Sequence, residues 1–298
     1  QADISHNQVV GRNARGGGGW FVSCNPVIHA SQWRHNYAQG RGGGIYFGKM
    51  SFPHIGVYST FENNYAMASG GAISCEQCTG FDMKRSMLAF NTALMDGGGI
   101  AFTETGAGIY TTIRHVNFSH CLAVHGNGGA VYVSQTSSLI LVTSSFVGNS
   151  APKGGGGGIY WSIGFQQALP DSLGSLPRVH LVECNTRLNN TAWFGSFIAS
   201  SAYSIIGHYG AEANTSMLES IISTQLSGPA PVAKPQSRRH FPLTVFGIYA
   251  DWYKQIVKSE TAAMSIKLSR NMSASPISIH EGIGMPVDGI VRFTNFIV

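Results

Sequence analysis

The chain has 298 residues, of which only 11% are Asp, Glu, Lys or Arg, against about 25% in ordinary soluble domains, so Gly, Ser, Thr and Asn supply much of its polarity. Its formal charge of +5 comes from 19 basic and 14 acidic residues; apart from Arg238-Arg239-His240 the basic ones are scattered, which excludes a clustered nucleic-acid-reading face. No run of about 18 apolar residues occurs, which excludes a membrane-spanning helix.

The chain opens on Gln1 rather than Met, which reads as a processed or excised segment. Ile4-Ser5-His6-Asn7 then starts a pattern that returns at Trp33-Arg34-His35-Asn36, Phe61-Glu62-Asn63-Asn64 and Leu88-Ala89-Phe90-Asn91. It continues at Phe118-Ser119-His120-Cys121, where Cys replaces Asn, and at Phe146-Val147-Gly148-Asn149. The steps between Asn phases are 29, 28, 27, 30 and 28 residues. Two positions after each stands Val9, Ala38, Ala66, Ala93, Ala123 or Ala151. Ile45, Ile73, Ile100, Val131 and Ile159 follow, each after a Gly-rich run. Such a period means one supersecondary unit that buries its apolar face only by stacking on its neighbours.

The segments themselves are strands. Gly44-Ile45-Tyr46-Phe47, Gly99-Ile100-Ala101-Phe102 and Gly158-Ile159-Tyr160-Trp161 are short and rich in β-formers, with the Ile and the aromatic residue two on sharing a face. A further strand precedes the Asn, as in Ser138 to Thr143, and no helical periodicity of apolar residues appears in the first 165 residues. The expected fold is all-β: a single-stranded right-handed parallel β-helix, or β-solenoid, with coils of about 27–30 residues and two or three strands per turn. Asn7, Asn36, Asn64, Asn91 and Asn149 form a corner ladder in which the Asn is expected to adopt αL and to bond neighbouring backbone or the Asn of the next coil. Ile4, Trp33, Phe61, Leu88, Phe118 and Phe146 form one interior stack and the Ile/Val positions a second. A leucine-rich repeat has a similar period, but Leu is not the repeated residue here, and three to five consecutive Gly would ruin its convex side.

Beyond residue 165 the pattern loosens: 29 of the 38 Gly lie in residues 1–165. Val182-Glu183-Cys184-Asn185 reads as a seventh copy after a step of 36, with Gln166 to Pro177 as an inserted loop. Ser227 to Pro242 holds four Pro and reads as an exposed loop or an extended arm, while Leu268-Ser269-Arg270-Asn271 and Phe293-Thr294-Asn295 resemble the motif again. The organisation expected is regular coils over 1–165 and the same solenoid with long insertions over 166–298.

Phe-x-x-Asn paired with Gly-Gly-Ala-(Ile/Val) resembles the repeats of the chlamydial polymorphic membrane proteins and of the pectin-lyase-like β-helix superfamily. The resemblance covers about residues 4–165 and is clearest at Phe61–Ile73 and Phe146–Ile159. It implies a surface or secreted protein, often adhesive. The superfamily also holds polysaccharide lyases and hydrolases, which need clustered carboxylates or an Arg/Lys base. Here Asp3, Glu62, Glu76, Asp82, Asp96 and Glu104 stand far apart in sequence, and Glu62 and Asp96 fall in different phases. No catalytic residue, cofactor or metal site is therefore expected.

Individual residues carry weaker signals. Tyr46, Tyr132 and Tyr160 follow inward residues and are expected to point outward, as a row that could contact glycans or a partner. His6 and His35 share a phase but lack the third ligand of a metal site. Of the five Cys, Cys75 and Cys78 form a lone CxxC, either a local disulfide or two unlinked thiols. N-glycosylation sequons occur at Asn117, Asn189, Asn214 and Asn271. The functional expectation is a non-enzymatic extracellular or cell-surface solenoid, either a filament subunit meeting other copies or related solenoids head-to-tail, or an adhesin. The alternative is a polysaccharide-active or glycan-binding β-helix.

Overall fold

Tight corners decide how this chain coils. At Gly70 the backbone takes φ +74°, and a Cβ at the adjacent Gly71 would lie 2.2 Å from the Gly98 carbonyl oxygen of the next coil. One glycine supplies the turn and the other allows neighbouring backbones to approach, which is why the glycines come in runs. The computed structural model describes residues 2–103, 110–134, 138–162, 179–183 and 186–200, and beyond these 204–209, 245–250, 255, 264–266, 282–284, 287 and 290–293. Asn185, Asn214, Asn271, the segments 166–177 and 227–242, and the last copy at 294–295 lie outside the described residues.

The described strands stack into four parallel sheets. Sheet I carries the Phe-phase strands from Asp3–Ser5 to Thr186–Leu188, and sheet II the two-residue steps from Gln8–Val9 to the longer Thr191–Phe194. Sheet III runs from Gly19–Val22 to Ile198–Ser200, and sheet IV from Val27–Ile28 to Val179–Val182. The first three have seven strands and sheet IV has six. Each coil therefore has four strands where the sequence indicates two or three. The steps such as Tyr37–Ala38 and Tyr65–Ala66 are too short to show alternation in sequence.

The register matches the sequence phase. Ile4 pairs with Trp33, Trp33 with Phe61, Phe61 with Leu88, Leu88 with Phe118 and Phe118 with Phe146. The Phe118 and Phe146 rings stack at 4.8 Å and 6° inside the solenoid. Ile45, Ile73, Ile100, Val131 and Ile159 form the second stack, all fully buried. Cys75 stands in the Phe47 and Phe102 phase, and its disulfide to Cys78 fills part of that column. In the seventh coil Arg187 takes the Phe phase, and Phe197 turns edge-on to Phe146 with the Arg187 guanidinium 4.7 Å from its ring centroid.

The division expected at residue 165 is displaced. Parallel coils continue through Ile198–Ser200, and the chain separates into Gln1–Ser201 and Ala202–Val298. In the second unit Ser204–Tyr209 pairs antiparallel with Val245–Ala250, which pairs antiparallel with Ile290–Phe293. Met264–Ile266 and Gly282–Gly284 also pair antiparallel. These strands do not continue the parallel coil, in keeping with the loss of paired corner glycines from the sequence.

Phe118 tests the interior stack. Phe118→Ala should lower stability by about 3–5 kcal/mol, because flanking coils held by their own ladders cannot collapse into the cavity. Urea unfolding followed by circular dichroism measures it, and an unchanged midpoint would place Phe118 outside the core.

Candidate functional site

The ladder satisfies the side-chain amide of its interior rungs, as at Asn64. Asn64 Oδ1 accepts from both the backbone N–H of Asn36 (3.1 Å) and its Nδ2 (3.0 Å), while Asn64 Nδ2 donates to Asn91 Oδ1 (2.9 Å) and to the Trp33 carbonyl (2.8 Å). Asn7 bonds Asn36 in the same way, and Asn149 bonds Asn190. Asn190, not the Asn185 phase of the sequence copy, is the seventh rung, 41 residues after Asn149. The long insertion before it shifts the copy, so a fixed spacing misses it.

Cys121 replaces one rung. Its backbone N–H donates to Asn149 Oδ1 (3.0 Å), and its sulfur faces the Asn91 backbone and side-chain donors. Burial pushes the thiol up to about 12, despite those donors. The αL conformation expected of the Asn belongs instead to the residue before it: φ is 58° at His6, 52° at His35, 55° at Asn63, 54° at Phe90 and 52° at His120. That residue turns the corner outward, leaving the Asn side chain directed along the stack.

The expected outward tyrosine row is a correction. Tyr46 is 1% exposed, Tyr160 is buried and Tyr132 half-buried. Tyr46 does alternate away from Ile45 and Phe47, but Arg15 lies 4.7 Å over its ring. Arg15 Nη1 donates to the Tyr46 hydroxyl (2.6 Å), which donates to Glu76 Oε2 (2.5 Å). Arg41 Nη1 reaches Glu76 Oε1 (2.9 Å) and Thr103 Oγ1 (3.3 Å), so its side chain crosses the outer face of sheet III. Burial, helped by the bond to Glu76, holds the Tyr46 phenol well above its ordinary range. The Tyr132 and Tyr160 rings stack on each other at 5.9 Å and 5°, so one face of each is covered by the other.

Asp96 joins this surface. Its Oδ1 accepts from the Asn127 backbone (2.8 Å) and Nδ2 (3.3 Å), and Asn127 Oδ1 accepts from the Gly155 N–H (2.8 Å). Burial holds the Asp96 carboxyl above its usual range, with the Asn127 bonds and Arg41 opposing. Both Glu76 and Asp96 are thus anchored by neighbouring coils. The structure brings Arg15, Arg41, Tyr46 and Glu76 together; sequence spacing alone did not, because long side chains cross between phases.

The other sequence candidates are separate from this cluster. Asn117 is exposed and its Oδ1 accepts from Ser145 Oγ (2.8 Å), and Asn189 is exposed at a corner. Cys75 and Cys78 are joined by a disulfide of 2.07 Å. His6 and His35 stack at 4.9 Å. A surface not singled out in the sequence lies along sheet II. There Tyr37 and Tyr65 stack at 5.7 Å and 6°, the Tyr37 hydroxyl lies 2.9 Å from Met67 Sδ, and Phe90 stacks on His120 at 4.9 Å. Met67, Phe90 and Met95 are 41%, 51% and 47% exposed. The signal was present as the repeated Asn-Tyr-Ala at 36–38 and 64–66.

Residues 58–76 match the Chlamydia polymorphic membrane protein (Chlamydia_PMP) repeat. The match spans the Phe61 interior position, the Asn64 rung, the Gly70-Gly71 corner and the Ile73–Glu76 strand of one coil. The chain is thus a β-solenoid carrying a repeat of a membrane-protein family. No curated protein and no solved structure matches the chain.

Asp96 gives a pH test. A carboxyl held above its unfolded value binds more protons in the folded state, so its contribution falls as pH rises from the ordinary carboxylate range through the folded value. Asp96→Asn keeps an acceptor for Asn127 and removes the buried charge. The variant should be more stable than the parent at neutral pH, and the gain should vanish below the carboxylate range. Urea midpoints at the two pH values check this, and a gain independent of pH would contradict it.

Proposed function

We propose that this chain is an extracellular, surface-displayed, non-enzymatic β-solenoid of the adhesive kind, whose stacked coils hold flat outer faces toward partners. The match of residues 58–76 to a membrane-protein repeat carries the reading, because the matched residues are the ones that build the coil. The same interior stack, rung and glycine corner recur in coils outside the match, which extends the likeness through the parallel stack. The Cys75–Cys78 disulfide supports an oxidising compartment. Support for a binding rather than a catalytic role comes from the carboxylates on sheet III: Glu76 is held by Arg15, Arg41 and Tyr46, and Asp96 by Asn127. Contact through the long flanks is favoured over glycan stacking on the Tyr46 column, since that column is covered.

Surface labelling tests the placement. Lys49, Lys84 and Lys153 are exposed, so a membrane-impermeant amine-reactive biotin should modify them on intact native cells. Peptide mass spectrometry reads the sites. Labelling that appears only after lysis would overturn the surface reading.

A further inference from the structure

The four outer faces of the coil differ in charge. Sheet I carries Arg34 and Glu62, sheet IV Asp82 and Lys84, and sheet III the Arg41–Glu76 pair. Sheet II and the corner leading into it carry one, the exposed Lys153 of strand Ser150–Gly155; residues 6–10, 35–39, 63–67, 90–94, 120–124, 148–152 and 189–193 contain no Asp, Glu, Lys or Arg. Their outward positions are instead aromatic, Met, aliphatic, His or small polar residues, with Tyr37, Tyr65, Met67 and Phe90 in adjacent coils. That composition, with charges nearly absent and aromatic and Met side chains at the centre, is the composition of an interface core.

We propose that the sheet II flank is a self-association surface, on which a second copy of this chain packs side by side. The charge distribution selects the occupant. The chain carries +5 overall, which opposes the approach of a second copy, and this opposition is least where two strips with one Lys each meet. An anionic lipid surface is disfavoured because the strip has a single Lys, Lys153, and no basic cluster to draw it there. A two-fold contact suits the geometry, since a repetitive strip is self-complementary when its partner is reversed. Seven coils spaced about 4.8 Å apart give a strip about 29 Å long, and three outward columns about 13 Å wide. That footprint, about 380 Å² per partner, is below that of stable interfaces, so the contact is a weak, transient one that dissociates reversibly at about tens of micromolar or above.

Sedimentation velocity of the whole chain over about a hundredfold concentration range tests the proposal. A monomer–dimer equilibrium is expected. Met67→Glu with Met95→Glu should weaken it at least about tenfold, since both side chains are partly exposed and the change places like charges across the contact. Tyr58→Glu, at a position 72% exposed at the corner between sheets IV and I, should leave it unchanged. Thermal melts establish that each variant is folded, and Met95→Lys alone carries the same expectation if the double variant melts early. A wild-type chain that stays monomeric, or a dimer that keeps its strength in the folded Met variants, would overturn the proposal. Surface placement is read on cells and dimerisation in solution, so either can fail without the other.

Discussion

The constraint on which this structure depends is the hydrogen bonding of a corner that has no sheet. Between sheets I and II the chain turns, and the strand ladders are interrupted inside the solenoid wall. A buried donor left there without a partner costs about 1–3 kcal/mol. The Asn rung answers this with one side chain: Oδ1 takes two donors from the coil before, and Nδ2 gives one hydrogen to the next rung and one to an interior carbonyl. No apolar side chain can do this. A thiol does it partially, and Cys121 keeps the run continuous by presenting sulfur where the oxygen would be.

Holding the coils in register has a second consequence. Once each rung fixes its neighbour, every other phase is fixed too, and like residues stack in columns through the wall. The interior columns then specify packing by repetition, as with the Phe118–Phe146 pair and the run of alanines at 38, 66, 93 and 123. The Ala column is small because sheet II has two residues per coil across most of its length and its inward side meets the Asn rung close by.

This explains what was legible in the sequence and what was not. The Phe-x-x-Asn spacing, the Ile/Val stack and the glycine corners are properties of one coil repeated, so their phase alone gives the parallel architecture. Three readings are incomplete or displaced, for reasons that one coil alone does not show. Tyr46 does point outward, yet Arg15 and Glu76, two coils apart in their origin, close over it. The αL residue precedes the Asn, which periodicity cannot distinguish from the Asn itself. Asn190 is displaced by an insertion, and the motif-like Val182-Glu183-Cys184-Asn185 places the copy five residues early, at Asn185. The sheet II flank was visible as Asn-Tyr-Ala repeats, but only the register shows that Tyr37 and Tyr65 are neighbours.

The same register accounts for the low charge of the chain. In a parallel in-register stack, equal phases are about 4.8 Å apart. Two like charges at that distance repel by roughly 3–4 kcal/mol at an effective dielectric of 20, and by under about 1 kcal/mol in water. A charged column is therefore tolerated only where it alternates in sign, bends away or is solvated, and each solution occurs. Arg34 pairs with Asp3 and lies beside Glu62 in the register, and His54 lies 3.9 Å from Asp82. Arg15 and Arg41 share a corner phase, and both reach Glu76. Lys84 and Arg114 are register partners and both are exposed to water. On sheet II, where short steps and the adjoining corner leave little room for such arrangements, the chain places only Lys153, in one of the two longer strands, and the nearly uncharged flank follows from the stacking itself.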